Sequence, residues 1–108
     1  MIGTPLYISP EAVHLKPPDA GVDLWALALV LYESIAGVHP MRAATPLEMM
    51  TRIAKAQVPD VREHRPDCPP ALALFLQQAL HADSRRRPGT ARAFRLDLEA
   101  TLQPALAN

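Results

Sequence analysis

Cysteine is almost missing from this sequence: Cys68 is the single one in 108 residues. It cannot close an internal disulfide, so a disulfide-stapled secreted scaffold is excluded and a reducing, cytoplasmic setting is expected. An excess of one charge is missing too. Eleven Lys and Arg balance eleven Asp and Glu, which argues against a nucleic-acid or anionic-membrane partner. No signal peptide is expected, and these residues hold no apolar run of the ~20 that a membrane span needs. Glycine occurs four times and never forms a phosphate-cradling loop. His14, His39, His64 and His81 stand singly, without HExxH or paired cysteines, so no metal site is expected. There is no GxSxG. Ser34 and Ser84 read as helix and turn residues, and nothing near Cys68 lowers its pKa. Taken alone, the residues contain no catalytic constellation.

What is present is proline, twelve of them, and helix signals between the breaks. Asp23 to Gly37 reads as a central helix, because Leu24 through Tyr32 are continuously apolar and a helix apolar all round belongs inside. Asp23 suits its N-cap and Gly37 the left-handed position past its end. Ser9 and Pro10 start a short helix through Val13, and Lys16 to Gly21 reads as a surface loop. Thr45-Pro46-Leu47-Glu48 starts a helix over 46–56 with Leu47, Met50, Ile53 and Ala54 inward. A proline-broken link follows. Residues 71–82 bury Leu72, Phe75, Leu76, Ala79 and Leu80, and Thr90 caps a last helix over 90–102 that carries Phe94, Leu98 and Leu102 and stops at Gln103-Pro104. No strand-like alternation occurs, so one all-α domain with irregular connections is expected.

Two polar features stand outside this pattern. Glu11 lies beside an apolar pair, and Arg85, Arg86 and Arg87 sit together far along the chain. One bidentate arginine–carboxylate pair would hold the proline-rich opening against that distal turn. Asp23 has two readings, a helix cap or a carboxylate gripping the backbone of a neighbouring loop.

The residues also resemble a family. Gly3-Thr4-Pro5-Leu6-Tyr7-Ile8-Ser9-Pro10-Glu11 resembles the end of the activation segment of eukaryotic-type serine/threonine protein kinases, with Ser-Pro-Glu for Ala-Pro-Glu. Asp23-Leu24-Trp25-Ala26-Leu27-Ala28, continued by Tyr32-Glu33, Gly37 and Pro40, resembles the buried central helix of their C-terminal lobe. Asp83 to Pro88 resembles the late Asp-Pro-x-x-Arg-Pro turn, and Thr90 to Phe94 the last helix of bacterial members. These motifs occur in the family's order over nearly the whole chain, which is therefore expected to be a kinase-like domain over 1–108, with the activation-segment end at 1–13 and the central helix at 23–36.

The resemblance implies roles. Glu11 would pair with Arg87, Asp23 would hold the catalytic loop, and Trp25 would be a structural residue of the central helix. Thr4 would reach toward the catalytic aspartate and lysine, and Leu6, Tyr7, Ile8 and Ser9 would form the platform that receives a protein substrate. The helix from Thr45 to Ala56 would offer a docking surface. The family's glycine-rich loop, ATP-positioning lysine, His-Arg-Asp loop and Asp-Phe-Gly site precede this region, and none is in these residues. No catalytic residue, cofactor site or metal ligand is therefore assigned, and ATP and Mg belong to the parent kinase. Ala28 and Ser84 depart from the family's usual glycine and proline. The implied function is a kinase fragment that supplies the substrate-side scaffold and is inactive alone. The alternative is a stand-alone, non-catalytic interaction module. Expected partners are protein substrates, the missing upstream kinase portion, or a second copy bound through an apolar wall at Trp25, Leu27 and Leu31.

Overall fold

The computed structural model describes residues 7–16 and 20–107, and every regular element among them is helical. The order is α1 Pro10–Val13, α2 Ala20–Ala36, α3 Pro46–Ala54, a 3-10 turn Val61–Glu63, α4 Pro70–Ala79, a 3-10 turn Ser84–Arg86 and α5 Ala91–Ala107. No helix among the described residues is long and apolar enough to cross a membrane.

The short α1 is built by local chemistry. Ser9 Oγ accepts the Ala12 N–H at 3.2 Å, and Pro10, which has no N–H to lose, takes the first helical position. The helix ends in a Schellman closure: Leu15 N–H donates to Ala12 O at 3.0 Å and Lys16 N–H to Glu11 O at 2.9 Å. The left-handed position is held by Leu15, with φ +60° and a residue exposure of 91%. A side chain there costs about 1–2 kcal/mol that glycine avoids, less glycine's extra chain entropy. Leu15→Gly should therefore raise stability by ~0.5–1 kcal/mol in urea denaturation. A lower midpoint would show that the leucine makes a stabilising contact within the fold.

α2 runs through the core. Trp25, Ala28, Leu29 and Tyr32 are fully enclosed, so the methyl of Ala28 is accommodated within a continuous helix. The expected start needs correction. The helix begins at Ala20, so Asp23 lies within its first turn, exposed, where it complements the helix dipole rather than capping the end. The expectation of no water-facing side also fails. Asp23, Leu27, Val30 and Ser34 are exposed at spacings of four, three and four, which is one helical face. Trp25 points away from that face, so the exposed wall contains Leu27 but not Trp25. Gly37, at φ +81°, ends the helix with its N–H on Glu33 O at 2.8 Å.

Thr45 Oγ1 caps α3 through the Glu48 N–H at 3.1 Å. The inward residues are Met49 and Ile53, whereas Leu47 points outward with 76% exposure. Ala56 adopts φ +49° in a second Schellman closure, which stops the helix two residues before the expected Ala56. The following link is not loose. Tyr32 Oη donates to Pro59 O at 2.8 Å, and Asp60 accepts the Arg62 backbone N–H and guanidinium as well as the Gln77 amide. Those donors, the Arg62 side chain first, bring the Asp60 pKa down to about 2.

α4 buries Ala73, Phe75, Leu76 and Ala79. It ends at Ala79 rather than at residue 82, because His81 Nδ1 accepts the Asp83 N–H at 2.9 Å and turns the chain. Phe75 meets Phe94 of α5 edge-to-face, with centroids 5.1 Å apart. Thr90 caps α5 through the Ala93 N–H at 3.0 Å. Leu102 is exposed rather than packed, and the helix continues through Pro104 to Ala107. Pro104 lacks the N–H that would meet the Ala100 carbonyl. Ala100 is exposed, so water can take that bond.

Candidate functional site

The structure joins Glu11 and Arg87 across 76 positions of sequence. Arg87 Nη1 donates to Glu11 Oε2 at 2.9 Å and Nη2 to Oε1 at 2.7 Å. The same guanidinium donates through Nε to His81 O at 2.6 Å and lies 4.7 Å from the Trp25 ring centroid. The Arg87 side chain is 5% exposed and that of Glu11 18%. Hydrogen bonds from Arg87 lower the Glu11 pKa against the opposing effect of burial. Arg85, by contrast, points outward and pairs with Asp83. Ser84, at the family's usual proline, opens the 3-10 turn and accepts the Arg87 N–H at 3.2 Å. This cluster is an anchor: its polar groups are engaged with one another, and it fixes α1 on the distal turn and the central helix.

A more open arrangement lies at Tyr7, ahead of α1 in the chain. Tyr7 Oη donates to Glu33 Oε1 at 2.7 Å, and the hydrogen bond to that carboxylate raises the tyrosine pKa. The Tyr7 and His39 ring centroids are 5.7 Å apart. His39 is buried, and its Nδ1 accepts the Met41 N–H at 3.1 Å, which leaves the ring proton on Nε2. Glu33, His39, Arg42, Thr45 and Met49 border an open cavity of about 430 Å³. Glu33 is the one acidic residue among its described lining. Neither Glu33 nor His39 was marked as a site residue by the sequence reading. The available signal was a carboxylate at the end of an otherwise apolar helix.

The expected platform is placed only in part. Thr4 and Leu6 lie outside the described residues. Tyr7 and Ile8 are partly exposed, whereas Ser9 is fully buried with its hydroxyl committed to the α1 cap. Ser9 therefore has no exposed surface to offer to a partner. Asp23, exposed in the first turn of α2, is not brought to this cluster.

The sequence pattern of the protein kinase domain matches residues 1–98. The chain belongs to the protein kinase family. It is 31% identical over 100 residues to the serine/threonine-protein kinase pkn3 of Myxococcus xanthus, covering 91% of this chain and 18% of that one. It is 30% identical over 103 residues to the serine/threonine-protein kinase PknD of Chlamydia caviae, covering 95% and 11%. The autoinhibited serine kinase domain of the giant muscle protein titin shares the fold, with a TM-score of 0.77 at 21% identity, covering 88% of this chain and 30% of that one. The chain thus spans less than a fifth of these two bacterial kinases and corresponds to part of a serine/threonine kinase domain. It has no glycine-rich loop in its sequence, and no group of three or more His, Cys, Asp or Glu is placed to hold a metal among the described residues.

Proposed function

We propose that the chain is the substrate-facing part of a serine/threonine protein kinase. In the whole kinase the γ-phosphate of Mg-ATP passes to a protein serine or threonine, and this part receives the protein segment at Tyr7, Ile8 and the neighbouring cavity. The observation that carries the reading is the Tyr7–Glu33 bond, which fixes a carboxylate at the edge of an open cavity beside the platform. Such a group suits a cationic or hydroxyl-bearing substrate side chain. The scaffold alone should not hold nucleotide. Titrating Mg-ATP into the chain in a calorimeter should give no saturable heat, and micromolar binding would overturn the division of labour proposed here.

The exposed face of α2 is the proposed seat of the rest of the kinase. Leu27 and Val30 are each about half exposed, so covering them contributes ~1 kcal/mol apiece. That is small beside the ~4–15 kcal/mol cost of bringing two free molecules together. A tethered upstream portion avoids most of that cost, and a second copy does not. Isolated chains should therefore associate no more tightly than about 1 mM, with any rise in scattering mass confined to millimolar concentrations. Leu27→Glu with Val30→Glu should abolish the rise without moving the denaturation midpoint. A constant monomer mass in the unsubstituted chain would reject self-association.

The alternative is a stand-alone interaction module, whose core the Glu11–Arg87 anchor would hold within this chain. Peptide mapping of the endogenous protein separates the readings: peptides from a preceding glycine-rich loop and Asp-Phe-Gly segment assign it to a kinase. The proposed location is the cytoplasm, in keeping with the buried free thiol of Cys68.

A further inference from the structure

The cavity beside Tyr7 carries two charges of opposite sign that do not neutralise each other. Glu33 comes from the last turn of α2, and Arg42 from the loop that follows the Gly37 turn. Arg42 is the one lysine or arginine in the described lining. Among the described residues its guanidinium forms no ion pair with any carboxylate. Local chemistry explains why it is left over. Glu48, in the first turn of α3, pairs with Arg52 at 3.1 Å, and Arg52 Nη1 donates to the Arg42 carbonyl at 2.6 Å. The Arg42 N–H donates to His39 O at 3.3 Å. Arg42 therefore combines a tethered backbone with an exposed, unpaired charge. Glu33 is held in turn by Tyr7. Arg86 and Arg92 are exposed and unpaired as well, but neither borders this cavity.

Two unlike charges on one cavity, each fixed by its own neighbours, complement an occupant that carries the reverse pair and repel one whose charges are all of one sign. We propose that Arg42 is a specificity-determining residue: it takes a carboxylate of the bound protein segment while Glu33 takes a cation. The favoured segment is dipolar, with an aspartate or glutamate a few residues from a lysine or arginine. A run of basic residues is disfavoured, because its further cations meet Arg42. The inference rests on the cavity's role as receiver of the protein segment, and adds to it the chemical class of that segment.

The test is a titration of the isotope-labelled full chain, followed by amide NMR spectra. The probes are the synthetic peptide Leu-Asp-Ala-Lys-Ala-Asp-Leu and its counterparts with asparagine, or with lysine, at both aspartate positions. The amides of Tyr7, Ala43 and Thr45 should shift saturably with the aspartate peptide. Its dissociation constant should lie about two- to fivefold below that of the asparagine peptide, the size of a partly exposed charge pair, and the lysine peptide should bind more weakly still. Arg42→Lys should keep this order and Arg42→Gln should erase it. Arg42→Glu should reverse it, so that the lysine peptide binds best, an outcome that a merely structural arginine would not produce. None of the three should move the denaturation midpoint, because the side chain is exposed and unpaired. Arg86→Gln, away from the cavity, should leave the order intact. Equal affinities for the three peptides, or a preference that survives Arg42→Gln, would overturn the role of Arg42 and leave the cavity a receiver of protein segments. No shift at these amides with any peptide up to about 10 mM would overturn that reading of the cavity, and the role of Arg42 with it.

Discussion

Arg87→Ala and Glu11→Ala should each lower the stability of the chain by ~3–5 kcal/mol, and the double variant should lose scarcely more than either one. The size follows from burial. With its partner gone, Arg87 keeps a charge that is 5% exposed, bonded among the described residues to the carbonyls of His81 and Ala82. A domain of this length has roughly 5–15 kcal/mol in total, so either single variant removes a large part of it. Arg85→Ala is the control. Its side chain is 88% exposed and its pair with Asp83 is a surface contact, so its loss should stay within ~0.5 kcal/mol. Urea denaturation of the four variants measures all of this, and equal losses at Arg85 and Arg87 would defeat the account. Acid reads the same bond. Arg87 lowers the folded pKa of Glu11, so its contribution is complete above the ordinary glutamate range and disappears as pH falls through the lowered value. The midpoint of the parent chain should therefore fall on acidification more steeply than that of Glu11→Gln.

The parts of this fold legible in the sequence are those decided within a few residues. Ser9, Thr45 and Thr90 each accept a backbone N–H three positions on, so the helix starts after them could be read directly. The start of α2 could not. Asp23 is favourable both as a cap and one turn inside a helix, and nothing local decides between the two. The phase of α3 was obscure because Leu47, Met49, Met50, Ile53 and Ala54 are all apolar. Only packing against the core turns Met49 inward and leaves Leu47 outside. Among three consecutive arginines, residue chemistry permitted one buried pair without choosing it, and resemblance to kinases singled out Arg87. The Tyr7–Glu33 bond spans 26 positions, a separation that no local rule reaches. The exposed face of α2 was hidden for a different reason. An apolar helix reads as enclosed whether its cover belongs to the same segment or to another.

Replacing Trp25 should separate the volume of its ring from its polar edge. The side chain is fully enclosed, the largest such in the core, and Arg87 stacks over it. Trp25→Ala removes that volume from the centre of the fold. It should cost ~3–5 kcal/mol from the cavity, with ~0.5–2 kcal/mol more from the lost cation–π contact. Added together, these remove a large part of the roughly 5–15 kcal/mol of such a domain, so the cooperative transition should fall far below that of the parent chain. Trp25→Phe should behave differently. Trp25 Nε1 is buried without a hydrogen-bond partner among the described residues, a cost of about 1–3 kcal/mol that phenylalanine does not carry. Phenylalanine keeps an aromatic face under the guanidinium and gives up only part of the volume. The two changes oppose each other, and the net loss should be no more than ~1–2 kcal/mol. Thermal melts followed by circular dichroism supply both values. A Phe variant as damaged as the Ala variant would mean that the indole N–H does find an acceptor, and that Trp25 is held by its polar edge as well as by its bulk.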